Sequence, residues 1–405
     1  MSDDFELHAG GGAMKRVLQT AWQRGRSLAP VHAFLFDRPL VVLQSDDWGR
    51  VGVRDWEGWE QVRQFAPNLG ERAYDYYSLE TAEDVAATAA LLSRHRDSSG
   101  RPACLGMNFV VANVDFQRVV ADDFRHIYLR DLMAGLPEGW NRPGLFDAYR
   151  EGIRAGVFFP ALHGTTHFCQ PAVERFLADP GERGTLMRGM WGAGTPYIHW
   201  RMPWVGFEYW DPEQAEQHRF LSADAQEELM RFALESFAKL FSAPPRSACA
   251  PGYRSNEVTH NTWAKLGIRV AQNGPGSARA PHFDRCGILQ LYRAVEFEPA
   301  TNPNFSLPEC IATAEACFAS GVPAIVSVHS INFHSTLRNF RGRTLELLDE
   351  FLSQLQSRHK DLLYVHDEDI RNLVEEGRLK TKDSVVKVVV TKSAFAGRFA
   401  ARRGA

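Results

Sequence analysis

The chain has 405 residues, 44% hydrophobic and 23% charged, enough apolar material for one large α/β barrel or for two to three smaller domains. Its formal net charge of -3 offers neither the basic field of a nucleic-acid binder nor a strongly acidic one, so no nucleic-acid partner is expected. No run approaches the roughly 18 to 20 apolar residues of a membrane span, Met1 to Glu6 has no signal-like apolar segment, and the cysteines form no C-x-x-C pair, so the expectation is a cytoplasmic protein with reduced thiols.

Residues 1–35 read as a polar lead-in with a basic segment from Met14 to Arg26 and room for a short helix. From Pro39 onward, apolar or β-branched runs alternate with longer amphipathic stretches, the pattern of βα units around a parallel sheet. Strands are predicted over Leu40–Gln44, Ala103–Val111, Val157–Leu162, Ser247–Ala250, Ile268–Gln272, Gly287–Leu291, Ala324–Val328 and Leu362–Val365. Helices are predicted over Pro143–Ala155, with Leu145, Phe146, Tyr149 and Ile153 on one face and Pro143 in the first turn, and over Ala223–Phe241, with Leu229, Phe232, Phe237 and Leu240. Seven to eight such strands, few hairpin signals and no internal repeat predict an incomplete (β/α) barrel over 36–376. A doubly wound open sheet is the alternative, without the Gly-rich phosphate fingerprint that would follow its first strand.

Trp191 to Trp210 breaks the rhythm with seven aromatics and no clean period. Its rings either cap the barrel bottom or a helix layer, or form a substrate wall in which Trp204, Arg201 and His199 meet sugar faces and hydroxyls. After Gly377 the chain turns basic, and 377–405 is expected to be a solvated or loosely docked tail, with Val385 to Val390 as a candidate edge strand and attachment to an anionic surface as the alternative.

Four segments place polar residues just past predicted strands, where barrel active sites are built: Ser45-Asp46-Asp47-Trp48, Leu162 to His167, Ala250 to Arg254, and Ser327-Val328-His329-Ser330. His163 and His167 are four apart, but no Glu follows His163, so a zinc-protease motif fails for lack of its base. Two neutral imidazoles with one carboxylate hold a divalent cation and leave positions open for water and substrate, and the second carboxylate is then free as a base. Successive strand residues point to opposite faces, so both aspartates serve one site only if the chain turns at Trp48-Gly49. Each residue also has a plainer reading: paired aspartates as a turn or helix cap, the histidines as hydrogen-bonded surface groups, and His329 as a satisfied core residue. The same ligand set occurs in non-haem iron oxygenases, for which His366 to Glu368 offers a further H-x-E, although the βα alternation argues against them.

On these residues the chain resembles the polysaccharide deacetylase family, the NodB-type carbohydrate esterases, over about 39 to 370. That family has an Asp-Asp motif after its first strand, an H-S/T-x-x-H motif, an R-x-P-Y/F motif and a late strand ending in His. The resemblance implies a distorted (β/α) barrel and a metal-dependent hydrolase that removes an acetyl group from a carbohydrate, such as a glycan precursor or surface-polysaccharide intermediate. It further implies Asp46 as general base, His329 as general acid, and Asp47, His163 and His167 as ligands of a divalent metal, zinc first, with cobalt, nickel or iron as alternatives. Tyr253 takes the place of the residue whose backbone N–H serves the oxyanion hole, and Trp48, Trp204, Arg201, Arg254 and His334 complete the candidate substrate contacts, with Asn108, Asn113 and Asn332 as further groups for sugar hydroxyls. Gly164 replaces the Ser or Thr of the histidine motif, and Ala248-Cys249-Ala250 stands where the arginine that orients the base is expected, leaving Arg254 as its substitute. The acidic motif before the last strand is not evident, with Asp284 and Glu296 as available acids. A metal-retaining barrel that binds a glycan or a protein without catalysis is the alternative function.

Overall fold

The structure is a computed structural model and describes residues 31–380 and 385–395. Eight parallel strands build it: β1 (Leu40–Trp48), β2 (Leu105–Phe109), β3 (Phe158–Leu162), β4 (Ser247–Cys249), β5 (Val270–Asn273), β6 (Leu289–Tyr292), β7 (Val295–Glu296) and β8 (Ala324–His329). Their order across the sheet is β7-β8-β1-β2-β3-β4-β5-β6, and every neighbouring pair is parallel. The two ends of this run, β6 and β7, are separated in the chain only by Arg293 and Ala294. There the backbone changes partner, Arg293 N donating to Asn273 O on one side and Ala294 N to Ile325 O on the other. The sheet therefore curls into a distorted α/β barrel with helices on its outside, and Arg293 sits at the seam.

The strand predictions lie on these elements, because strands covered on both faces read as continuous apolar runs. β7 has only two residues and no such run. Leu363–Tyr364 pairs with the start of β1 instead of extending the barrel. An antiparallel edge extends the sheet: Val31–Phe36 pairs with His282–Phe283 on one side and with Val390–Phe395 on the other, so 31–35 and part of the basic tail join it, and the edge strand expected over Val385–Val390 falls on Val390–Phe395. Val385–Lys387 forms a separate hairpin with Arg378–Lys380. The helix suggested between Met14 and Arg26 lies outside the described residues.

Helix boundaries follow capping chemistry. Ser222 caps Ala223–Phe241 by accepting from Ala225 N, and Thr81 forms a capping box at the start of Ala82–Arg94. Pro143 stands outside its helix, which starts at Leu145 behind Gly144 in the left-handed conformation (φ 75°). The face of Ala223–Phe241 turned inward carries Gln226, Met230, Ala233, Ser236, Phe237 and Leu240, whereas Phe232 is exposed.

Candidate active site

β1 is buried along its whole length, yet it carries Gln44, Ser45, Asp46 and Asp47 just before its last residue, Trp48. Against β2, Ser45 pairs with Met107 and Trp48 with Phe109, so β1 holds one residue more than its neighbour. This bulge, with Asp47 at φ 75°, turns adjacent aspartates toward one cavity, which a regular strand could not do. The register of β1 with β8 sets His329 beside Asp46. The cavity they share, about 280 Å³, opens at the C-terminal ends of the strands and also takes in His163, His167, Arg50, Tyr253 and aromatic side chains of the 197–207 segment.

Asp47 Oδ1 is buried with no hydrogen-bond partner, 3.3 Å from His167 Nε2 and 3.6 Å from His163 Nε2. Its Oδ2 accepts from Arg50 Nη2 at 3.1 Å. Burial pushes the Asp47 carboxyl up, but the Arg50 guanidinium leads the opposing influences, and the group is held well below the usual carboxylate range. Burial likewise holds His167 well below the ordinary imidazole value, so it is neutral. His163 Nδ1 lies 2.9 Å from Cys249 O and His167 Nδ1 2.7 Å from the Tyr197 hydroxyl. With Nδ1 protonated in each ring, both Nε2 lone pairs face Oδ1. Three electron-rich atoms converging in a buried place, all within 4.8 Å of one another, fit a cation with nitrogen and oxygen ligands.

The loop between the histidines is held from below. Glu208 accepts from the backbone N–H groups of Thr165 (2.8 Å), Thr166 (3.0 Å) and His167 (3.1 Å). Gly164 has φ +81°, and a Cβ there would lie 3.0 Å from the Glu208 carboxyl, which accounts for glycine at this position.

Asp46 has a different environment. Arg293 grips it with two 2.6 Å bonds, one to each oxygen, while Asn108 Nδ2 donates to Oδ1 at 2.6 Å and the Tyr253 hydroxyl to Oδ2 at 3.1 Å. Burial raises its pKa, but the guanidinium more than offsets this and keeps the group ionised. Behind the pair a polar network crosses the barrel interior: Arg293 Nε donates to Gln44 Oε1 (3.0 Å) and Nη2 to Gln272 Oε1 (2.9 Å), and both glutamines donate to Asp367. His329 Nε2 is 3.8 Å from Asp46 Oδ2, and its Nδ1 is 2.6 Å from Glu298 Oε1. Burial lowers the His329 pKa, yet Glu298 prevails and lifts it to about 9, so the ring is an imidazolium at neutral pH.

Asp46, Asp47, His163, His167, His329 and Tyr253 thus surround one cavity, which His199 also lines, while Trp48, Trp204, Arg201, His334 and Arg254 lie elsewhere. Trp48 is fully buried and stacks on Phe333 at 5.7 Å. Trp204 packs in the core against Phe176. Arg201 is held by Asp75 at 2.8 Å and stacks on Trp200. His334 is buried against Tyr77 and near Glu80. Arg254 lies over the Trp210 ring at 4.6 Å, so the residue that orients Asp46 is Arg293. The acid beside His329 is Glu298, since Asp284 pairs with His260 and Glu296 is exposed. The backbone N–H of Tyr253 donates to Ala250 O (2.8 Å), which takes it from an oxyanion, and its hydroxyl faces the site instead. Asn108, Asn113 and Asn332 hold Asp46, the Gly49–Val51 turn and Glu298 respectively. The aromatic segment divides: Tyr197, Ile198, His199, Trp200 and Phe207 line the cavity, while Trp191, Trp204 and Tyr209 belong to the core. His366 to Glu368 flank a second cavity at the opposite end of the barrel, beside Phe159 and Arg246. Among the described residues, no helix is long and apolar enough to cross a membrane.

No family model and no curated protein matches the chain. Among solved structures, it is similar to one described as a polysaccharide deacetylase from Mycobacterium smegmatis, with 13% identity, 83% of this chain and 90% of that one covered, and a TM-score of 0.44. A GH57-type branching enzyme from Pyrococcus horikoshii gives 10% identity, coverages of 84% and 70%, and the same TM-score. A family 4 carbohydrate esterase from Streptomyces lividans gives 10% identity, coverages of 80% and 90%, and a TM-score of 0.32. Superpositions this loose, spread over enzymes of different chemistry, say nothing of reaction or substrate.

Proposed function

We propose that Asp47, His163 and His167 hold a divalent cation, with zinc first among the alternatives, and that the protein is a hydrolase that removes an acetyl group from a carbohydrate. The observation that carries this reading is Asp47 Oδ1, buried without a hydrogen bond and facing two imidazole nitrogens at 3.3 and 3.6 Å. When bound, the cation supplies Lewis acidity, lowering the pKa of water and polarising the acyl carbonyl.

The chain's own residues then have separable tasks. Asp46, ionised at every working pH, is the proton acceptor on one side of the cavity, oriented by Arg293 and Asn108. His329 is the proton donor on the other, charged by Glu298 and placed to protonate a leaving amine or alkoxide. Tyr74, Tyr77 and Tyr253 supply hydroxyl-bearing walls, and Trp200 and Phe207 supply flat ones, a surface suited to a sugar ring. The barrel unit is 36–376, extended by the edge strands that precede and follow it.

Metal content per chain, measured by elemental analysis after dialysis, tests the ligand set: near one divalent ion in the wild type, lost in His163→Ala and His167→Ala. Asp46→Asn keeps the ion and loses acetate release from acetylated sugars. One observation favours a second reading, a barrel that binds metal and glycan without turnover: four donors crowd the Asp46 carboxylate, and a carboxylate so satisfied is a weak base. A full metal complement and glycan binding, with no acetate released across a panel of acetylated sugars, decides for that alternative.

A further inference from the structure

We infer that the substrate of this cavity is an anion, with an oxyanion group, carboxylate or phosphate, lying against Arg50 beside the Asp47/His163/His167 triad. The inference rests on the hydrolase reading and names its substrate class.

Charge pairing is the first argument. Two carboxylates line the cavity, and each already faces its own buried arginine: Asp46 with Arg293 at 2.6 Å and Asp47 with Arg50 at 3.1 Å. His329 is matched by Glu298 at 2.6 Å. Glu80 and Glu208 stand behind the lining, and both accept backbone N–H groups. A divalent cation on the triad therefore meets no unpaired carboxylate in the lining itself, and leaves the lining with an excess of positive charge that Glu80 and Glu208 offset only from behind. Between the rings of Tyr74, Tyr77, Trp200 and Phe207, such an excess is poorly screened. A neutral acetylated sugar does nothing to offset it; an anionic one does.

Arg50 supplies the second argument. Its guanidinium is only 6% exposed, stacks 4.0 Å above the Tyr77 ring, and borders the cavity. A guanidinium carries five N–H donors. Only two have acceptors, Tyr197 for Nη1 and Asp47 for Nη2, and Nε has none. An enclosed cation with unmatched donors is costly unless an acceptor arrives, and planar oxyanions match this fork best. The size of the cavity adds a limit. About 280 Å³ is at the lower end for a ligand pocket, so an anionic group and an acetyl group on the same sugar unit can both reach it.

The test uses the full chain loaded with zinc and four sugars sharing one acetamide: N-acetylglucosamine and its 6-carboxylate, 6-phosphate and 3-O-lactyl derivatives. Acetate release and calorimetric binding are measured for the wild type, Arg50→Met and Arg50→Lys, with zinc content determined for each. The expected result is a wild-type preference for at least one anionic sugar over the neutral one of roughly ten-fold or more, the scale of a hydrogen bond to a charged group. Arg50→Met removes that preference while retaining zinc, and Arg50→Lys restores part of it. The 6-carboxylate against the 6-phosphate separates the two oxyanion sources. Equal handling of neutral and anionic sugars by the wild type overturns the inference, as does an equal loss on all four in Arg50→Met. If no sugar releases acetate, the hydrolase reading fails, and the binding ratios alone decide the anion. If Arg50→Met loses zinc, the ratios in the wild type and Arg50→Lys decide it.

Discussion

Replacing Arg293 with methionine keeps the length of the stem and removes a charge from the interior of the barrel. In the wild type the guanidinium, fully buried, bonds both oxygens of Asp46 at 2.6 Å and also reaches Gln44, Gln272 and the hydroxyl of Tyr253. Its removal leaves the Asp46 carboxylate buried with only Asn108 and Tyr253 as donors, and breaking a buried pair in this way costs about 3–5 kcal/mol. The pH dependence has a definite sign. In the wild type Asp46 is held below its ordinary value of 3.8, so its contribution is complete above that pH and is lost only as pH falls through the lower folded value. In Arg293→Met, burial dominates and the folded pKa rises above 3.8, so the protonated form is preferred and stability falls as pH rises. Equilibrium urea unfolding at pH 5 and pH 8 should show a large loss at pH 8, a clearly smaller one at pH 5, and partial recovery in Asp46→Asn/Arg293→Met, with a coupling of about 2 kcal/mol or more. A loss under about 1 kcal/mol at pH 8, or equal losses at both pH values, would refute the reasoning.

Other substitutions separate roles that share the cavity. Glu298→Gln should bring the His329 pKa from about 9 down toward the ordinary imidazole value, seen by NMR titration, and move the alkaline limit of turnover down with it. The raised pKa also stabilises the wild type fully below about 6.5, with the gain lost as pH rises through about 9, and unfolding of the variant should lack that decline. Gly164→Ala puts a Cβ against Glu208 at φ +81° and should cost about 1–3 kcal/mol, with weaker zinc binding by calorimetry. Trp204→Ala should cost about 3–5 kcal/mol of stability with KM unchanged, whereas Trp200→Ala, on the cavity wall, should raise KM.

How much of this was legible depends on how each residue is carried. The aspartate pair, His163 and His329 each stand directly behind a long apolar run, and in a parallel barrel that position alone sends a polar residue to the active end. Arg293 obeys the same rule, one residue past β6, but its neighbourhood Tyr292-Arg293-Ala294 reads as an ordinary loop. Only the change of strand partner there shows that it points inward. Glu208 and Glu298 carry no local signal, since each acts from a segment without regular structure. The aromatic stretch misleads for a related reason: with no periodicity, nothing in the sequence divides its wall residues, Tyr197, Trp200 and Phe207, from core residues such as Trp204.

The seam explains how Asp46 is oriented without the expected motif. Cys249 stands two residues before Pro251, where the resemblance expects an arginine, and its Sγ lies 4.0 Å from Asp46 Oδ2, too short a side chain to carry the needed charge. Arg293 delivers that charge from the opposite direction, because the chain must leave β5 and join β8 at this residue to close the sheet. Its donors to Gln44 and Gln272 then tie Asp46 to two strands that flank the seam at different distances, so the pair is fixed by the closure of the barrel itself. Asp46 and Asp47, one peptide bond apart, thereby acquire separate arginines and separate chemistry: the first is saturated by Arg293 and its neighbours, and the second is left with one oxygen bare toward two histidines. A single-residue bulge in β1 is what allows both. Without it, one of the two carboxylates would face the helices outside the barrel, and no cation could lie between the strand and the histidine loop.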